Sequence, residues 1–435
     1  MSRAMPKDVT TAGLTAIARE AYTFTLPLVA MESFRRRRMA LGPMNDMLHA
    51  RKLLHHKSRH ITAPNNDTLY SNAWLDLRKG SAEITLPETG ERYISVAVMD
   101  MWTDNIAILG TRTTGGEGGS VTIIGPDASA EGIAGPVIRS TTPICWVLAR
   151  ILVTGPEDLA AARAVQDGFT LTMPPPPNDP AGDPSQGTRT APWPEYFAQA
   201  AELLTLHSPR ATDIGVMRRI AALGLDAPGG FDLDRFSPDQ AAAIAAGVAE
   251  ARRALEGGMI MAGDGDGWLP PKPGLGFYHQ DYEFRARVAI GGLGALTLEE
   301  ATYYPARSFD GAPLDGRRAM RWHIPADRPI PVNAFWSLSM YEPTGDGELF
   351  FIDNPLSRYA IGDRTPGLTR NPDGSLDIWI GHDSPGPARE ANWLPAPAGP
   401  YTLLLRAYFA KPDLLEGRYA IPDPQPVTLE EETQE

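Results

Sequence analysis

Apolar residues recur at helical spacing through Leu14, Ile17, Ala18, Ala21 and Tyr22, which predicts a helix over residues 14–34. A second helix is expected from Asn45 to His60, ending before Pro64. The period then changes. Residues 92–99, 120–124 and 143–153 are β-branched runs bounded by Gly, Pro and Asp, and they read as strands. After a proline-rich stretch, Ser208-Pro209 and Ser237-Pro238-Asp239-Gln240 mark helix starts. The second is a capping box opening an Ala-rich helix that ends at Gly257-Gly258. Beyond Thr297 strands return at 332–341, 348–352, 376–381 and 401–409, between Asp-Gly, Asn-Pro and Pro-Gly turns. Short strands with no helices between them imply antiparallel packing. The expected fold is α+β and mainly β, with two antiparallel β-sandwich or jelly-roll-like domains and a helical insert between them. Its divisions are N-terminal helices over 1–60, an N-terminal β domain over 61–173, a Pro-rich linker over 174–194, the helical insert over 195–296 and a C-terminal jelly-roll-like domain over 297–435.

Composition agrees with this outline. A chain of 435 residues exceeds what one core usually serves, and 42 Gly with 41 Pro favour turns and short strands over a helical bundle. The net charge of -13 argues against a nucleic-acid partner. Charge is unevenly spread, however. Residues 35–60 hold eight Lys or Arg against the single acid Asp46, a local balance of +7. That segment is either a solvated basic face or a docking face for an anionic ligand, an acidic partner or a membrane surface, and salt-sensitive homo-oligomers would fit the second reading. The lone Cys145 lies in an apolar run and is expected to be a buried, inert thiol. The apolar run 25–31 is too short for a signal peptide and follows Arg19-Glu20, so a cytoplasmic location is expected. No window reaches membrane-spanning length.

The common catalytic signatures do not occur, whether nucleophile elbow, P-loop, zinc-protease helix or dinucleotide fingerprint. His49, His56 and His60 would share one face of the second helix, but the first lies about 10 Å from the next along the axis, too far to share an ion. Asp264-Gly265-Asp266-Gly267-Trp268 imitates a calcium loop, yet the twelfth position is Leu275, so a turn is expected. Gly115 to Gly119 reads as a flexible hairpin. The run Asn65-Asn66-Asp67 carries more amide and carboxylate groups than one turn requires and points to a site. Asp100-Met101-Trp102-Thr103-Asp104 closes a strand and leads on to Arg112; it suits acid/base chemistry or, equally, Asx capping with an Asp-Arg pair. Asn354, Arg358, Tyr359 and Trp393 offer polar groups on turns, with Arg358 expected to pair with Asp353 or Asp363.

These motifs, taken in order, resemble a known pair of domains. Residues 64–77, Arg92 through Asn105 and Gly110 through Gly115 look like the hallmark of domain of unknown function 1254. Phe335-Trp336-Ser337-Leu338, Asn354 to Tyr359, Asp373 to Ile378, Asn392 to Pro397 and Leu405-Arg406-Ala407-Tyr408 resemble its companion, domain of unknown function 1214. The resemblance implies two β domains with a cleft between them and supplies no activity. It implies export for many relatives, which makes a periplasmic location the alternative.

The leading expectation is an enzyme of hydrolase or lyase type, acting on a small or lipid-like oxygenated substrate in an interdomain cleft. Asp67 or Asp100 would be the acid/base and Tyr70 a proton donor. Arg112 and Arg358 would hold an anionic or carbonyl oxygen, with Asn65, Asn66, Asn354 and Tyr359 beside them. Trp102, Trp336 and Trp393 would form apolar walls. Asp100 and Asp104 would suit a divalent cation, magnesium or calcium. The alternative is a non-catalytic binding protein for an apolar or anionic small ligand.

Overall fold

A computed structural model describes residues 10–59, 61–176, 188–258, 265–344 and 348–427. The first helix, α1 (Thr11–Met39), starts where the Thr10 side chain accepts the Gly13 N–H, and it buries almost its whole middle. The N-terminal domain then runs through β1 (Leu48–Ala50), β2 (Thr68–Asp76), β3 (Ala82–Leu86), β4 (Ile94–Asp100), β5 (Asn105–Gly110), β6 (Gly119–Ile124), β7 (Val137–Arg139), β8 (Ile144–Leu152), α2 (Leu159–Asp167) and β9 (Thr170–Thr172). One antiparallel sheet has the order β1-β2-β8-β4-β5, and a mixed sheet, in which β6 and β7 run parallel, has the order β7-β6-β3-β9. Alternation along each strand decides what meets what. Leu69, Val96, Val98, Val147 and Ile151 point between the two sheets and fill that core with Ile84 and Ile123.

The helices α3 (Trp193–Leu206), α4 (Ile214–Ile220), α5 (Pro238–Ala254) and α6 (Tyr282–Gly291) follow. They join α1 in covering the other face of the five-stranded sheet, where Trp74, Met99, Trp146 and Leu148 project. The expected capping box is present, since the Ser237 side chain accepts the Gln240 N–H and Gln240 reaches back to the Ser237 N–H.

The C-terminal domain comprises β10 (Ala301–Ala306), β11 (Ser308–Phe309), β12 (Ala312–Pro313), β13 (Met320–Ile324), β14 (Val332–Pro343), β15 (Leu349–Phe350), β16 (Ala360–Gly362), β17 (Leu376–Gly381), β18 (Trp393–Pro395), β19 (Thr402–Ala410), α7 (Pro412–Leu415) and β20 (Gln425–Pro426). The sheet β10-β19-β14-β15, with β16 also on β14, faces the sheet β18-β17-β13-β20 across a core of Trp322, Leu338, Ile378, Ile380 and Leu405. The molecule is thus mixed α+β, built mainly on antiparallel sheets. No helix among the described residues is long and apolar enough to cross a membrane.

Three local expectations change. Residues 45–59 are not helical: β1 pairs with the edge of β2 and the remainder is extended or turned. The reason lies in Leu53 and Leu54, which pack against the cores of different domains. Consecutive residues can face opposite ways only in an extended chain. The three-histidine face disappears with the helix: His49 bonds Ser71, His56 bonds Tyr359, and His60 lies outside the described residues. The Gly-rich stretch links β5 in one sheet to β6 in the other, so it is a crossover and not a hairpin. A Cβ on Gly116 would fall 2.0 Å from the Gly90 carbonyl oxygen, which is why the crossover needs glycine there.

Within the basic segment, Arg35 and Arg36 pair with Glu32, Arg38 donates to Asn72 and Gly42, and Arg51 pairs with Asp167. Much of the segment's charge is therefore engaged inside the molecule. Most of the Pro-rich stretch (177–187) and Asp264 of the calcium-like loop lie outside the described residues. Asp266 accepts the Gly311 N–H, as a turn residue does.

Candidate functional site

The outer faces of the two large sheets meet between the domains, and polar groups concentrate where they touch. Asp67, at the entry to β2, accepts a 2.7 Å hydrogen bond from Ser337 on β14. Asn65 donates to the Tyr408 hydroxyl at 2.9 Å and also holds the Asp67 backbone N–H. Arg406 on β19 donates to Ser339 and to the carbonyls of Ala63 and Pro64. On the facing sheet, Arg150 on β8 lies 5.5 Å from the Tyr70 ring and donates to the Gly294 carbonyl at 2.6 Å. The Tyr93 hydroxyl and Arg112 both donate to Glu300 at 2.7 Å, joining β4 and the β5–β6 crossover to the start of the C-terminal domain.

Two features set this cluster apart from an ordinary interface. Its valences are incomplete: Asp67 Oδ2 and Arg150 Nη1 are buried with no hydrogen-bond partner among the described residues. Such groups are costly to leave unmade and are rare in a finished core. Its electrostatics are also shifted. Burial pushes the Asp67 carboxyl above its ordinary range, despite the Ser337 hydrogen bond and the nearby Arg406. Burial likewise pushes Asp363, beside β16, up to about 6, and the proximity of Asp67 adds to the rise. Asp67, Tyr70 and Tyr303 keep part of their surface accessible although they lie between the domains.

The remaining expected residues distribute as follows. Asn66 donates to Leu54 O and pins the preceding loop. Arg112 serves Glu300. Trp102 is enclosed by Phe24 and the helices, with ring centroids 5.0 Å apart. Trp336 packs edge-on to Trp322 in the C-terminal core, and Trp393 donates its indole N–H to Gly381. All three indoles are buried in cores and do not wall an open cleft. Arg358 pairs with neither Asp353 nor Asp363. It donates to the carbonyls of Glu390 and Trp393, while Asn354 ties its own turn together. Tyr359 bonds His56 through its hydroxyl and stacks near Phe351.

Asp100 and Asp104 do come together, in a surface cleft of about 490 Å³ shared with Arg210, Phe277 and His279. Arg210 ion-pairs with both, and Arg285 reaches Asp104 at 3.5 Å. The remaining Asp100 positions accept Trp102 N–H, Asp104 N–H and the Thr141 hydroxyl. Burial and the neighbouring Asp100 raise the Asp104 pKa against the opposing arginines. A guanidinium already occupies the place a divalent cation would take, so this pair does not fit magnesium or calcium. The open clefts and the incomplete valences thus lie in different places. A second cleft, of about 300 Å³, is lined by Thr62, Arg189, Arg252 and Gly291. Chemistry follows unengaged groups more closely than open volume, which favours the interdomain cluster.

Arg150, Arg406, Tyr303, Tyr408, Ser337, Asp363 and Glu300 were not read as site residues from the sequence. A signal existed for two of them. Arg150 and Arg406 are each the one charged residue in a nine-residue strand that is otherwise almost wholly apolar, and a charge in such a strand is seldom buried without a partner or a task.

The fold has a counterpart among solved structures. The crystal structure of the VPA0106 protein from Vibrio parahaemolyticus is similar over 95% of this chain and 100% of that one, with 23% identity and a TM-score of 0.70. A putative uncharacterized protein from Burkholderia cenocepacia shares 13% identity over 96% and 95% of the two chains, at a TM-score of 0.46, too slight a likeness to argue from. No curated protein matches. Residues 44–173, spanning the N-terminal sheets, match the family described as protein of unknown function DUF1254. Since residues 299–412, spanning β10 to α7, match the family described as protein of unknown function DUF1214, the chain belongs to the proteins that carry these two domains in that order.

Proposed function

We propose that the chain is an enzyme of hydrolase or lyase type, acting on a small oxygenated substrate held between the two domains, with Asp67 as its acid/base. The observation that carries this reading is the state of Asp67, a buried carboxyl pushed upward, oriented through one oxygen by Ser337 and left unengaged at the other. A buried carboxyl shifted in that direction holds its proton more readily than a solvated one, and can deliver it to a leaving or carbonyl oxygen and then take one back. Asp363, raised partly by Asp67, completes a pair of carboxyls whose protonation states oppose each other. Tyr70, whose ring lies beside Arg150, is the second proton donor in this reading. Arg150 Nη1 stabilises negative charge that develops on an oxygen.

The test compares purified wild type with Asp67→Asn, each incubated with a fractionated small-molecule extract and followed by mass spectrometry. Wild type should deplete one mass feature and build up another. Asp67→Asn should slow that conversion by roughly 100-fold or more, in keeping with loss of a general acid, while melting at or above the wild-type temperature because a strained carboxyl has been removed. Equal turnover by the variant would remove Asp67 from the mechanism. A mass feature that binds and is never converted would favour the binding-protein alternative.

A further inference from the structure

The strand registers reveal matched polar rows on the two facing sheets. In the N-terminal sheet Tyr70 stands opposite Arg150 and Arg150 opposite Ser95. In the C-terminal sheet Tyr303 stands opposite Arg406 and Arg406 opposite Ser337. Each row reads Tyr, Arg, Ser across three antiparallel strands, with the arginine on the middle strand. The neighbours Ala149 and Ile151, like Leu405 and Ala407, point the other way into the cores, so both rows line the space between the domains.

The two arginines are in different states. Arg406 has both terminal nitrogens engaged, by Ser339 and the carbonyls of Ala63 and Pro64. Arg150 is 7% exposed, has Nη1 without a partner, and among the described residues has no carboxylate within ion-pairing distance. Glu300, the acid that touches Tyr93, is held by Arg112. Burial keeps the phenols of Tyr303 and Tyr408 neutral at physiological pH, so they supply hydrogen bonds and no counter-charge. A buried guanidinium with an open donor and no anion is incomplete without one.

We infer that the substrate is a small carboxylate, whose single negative charge is received by Arg150 Nη1 with Tyr70 and Tyr303 alongside, leaving its other end toward Asp67. A dianion such as a phosphate monoester fits less well, because the second arginine is already engaged and one guanidinium balances one charge. This inference rests on the interdomain space being the substrate site, but not on the proton-transfer role given to Asp67.

The experiment measures thermal shift and calorimetric binding at constant ionic strength, using acetate, propionate and benzoate, their neutral amides, and inorganic phosphate. At least one carboxylate should stabilise wild type while its amide does not, and Arg150→Gln should weaken that carboxylate at least tenfold. Arg150→Lys, which retains the charge on a shorter reach, should bind between the two. Amides equal to their carboxylates, phosphate stronger than any carboxylate, no carboxylate binding at all, or an unchanged Arg150→Gln would each overturn the inference. If Arg150→Gln does not fold, the acid-to-amide comparison on wild type decides alone. The two readings fail separately: normal turnover by Asp67→Asn with intact carboxylate binding sinks only the proton-transfer role, and lost turnover with no preference for carboxylates sinks only the substrate class.

Discussion

His207, just past α3, has no exposed surface, and neither ring nitrogen has a hydrogen-bond partner among the described residues. Burial pushes its pKa down to about 4, with Glu32, Arg35, Arg78 and Asp76 as the charges around it. The folded chain therefore favours the neutral ring more than the unfolded chain does. The resulting stability is complete above the ordinary histidine value near 6.5 and declines as pH falls toward 4, by an amount on the order of 3 kcal/mol. Urea midpoints at pH 7 and pH 5 should separate in wild type and separate less in His207→Gln; equal separations would show that this ring is not the source. At this scale the sequence was partly legible. Asn65-Asn66-Asp67 stood out because three such side chains exceed the needs of a turn, and the structure does place Asn65 and Asp67 against the partner domain. An indole near a polar motif looks the same in sequence whether it walls a cleft or fills a core, and Trp102, Trp336 and Trp393 are buried. The role of Arg112 is not legible locally because its partner Glu300 lies 188 positions away.

Among elements, α5 shows how far local chemistry reaches. Its Ser237 and Gln240 form a reciprocal cap that is visible in four consecutive letters. Replacing Ser237 with Ala should cost about 1 kcal/mol, measured as a lower urea midpoint with an unchanged slope. A loss below about 0.3 kcal/mol would mean that tertiary contacts hold the helix start without the cap. Strands were legible for a similar reason, since alternation and turn residues are local. Pairing was not. The contact of β2 with β8 joins segments some 75 positions apart, and only the finished sheets bring Tyr70 beside Arg150. Residues 45–59 misled because an extended strap bridging two cores has an apolar spacing that imitates a helix.

For the whole molecule, the decisive contact is Glu300, 1% exposed, which binds Tyr93 and Arg112 of the other domain through separate oxygens. Glu300→Ala leaves the buried Tyr93 hydroxyl without its partner and frees the partly exposed Arg112, and should destabilise the protein by about 2 kcal/mol, the usual cost of a buried polar group left unpaired. Urea unfolding of the variant should begin at a lower midpoint than wild type; a transition at the wild-type midpoint would refute this coupling. The same closure governs traffic. Asp67, Tyr70 and Tyr303 keep part of their surface accessible between sheets clasped by Ser337, Tyr408 and Glu300, while Arg150 lies deeper. On the reading that a substrate reaches Arg150, its departure waits on loosening of that clasp, and material acquired in the cell should outlast extended dialysis.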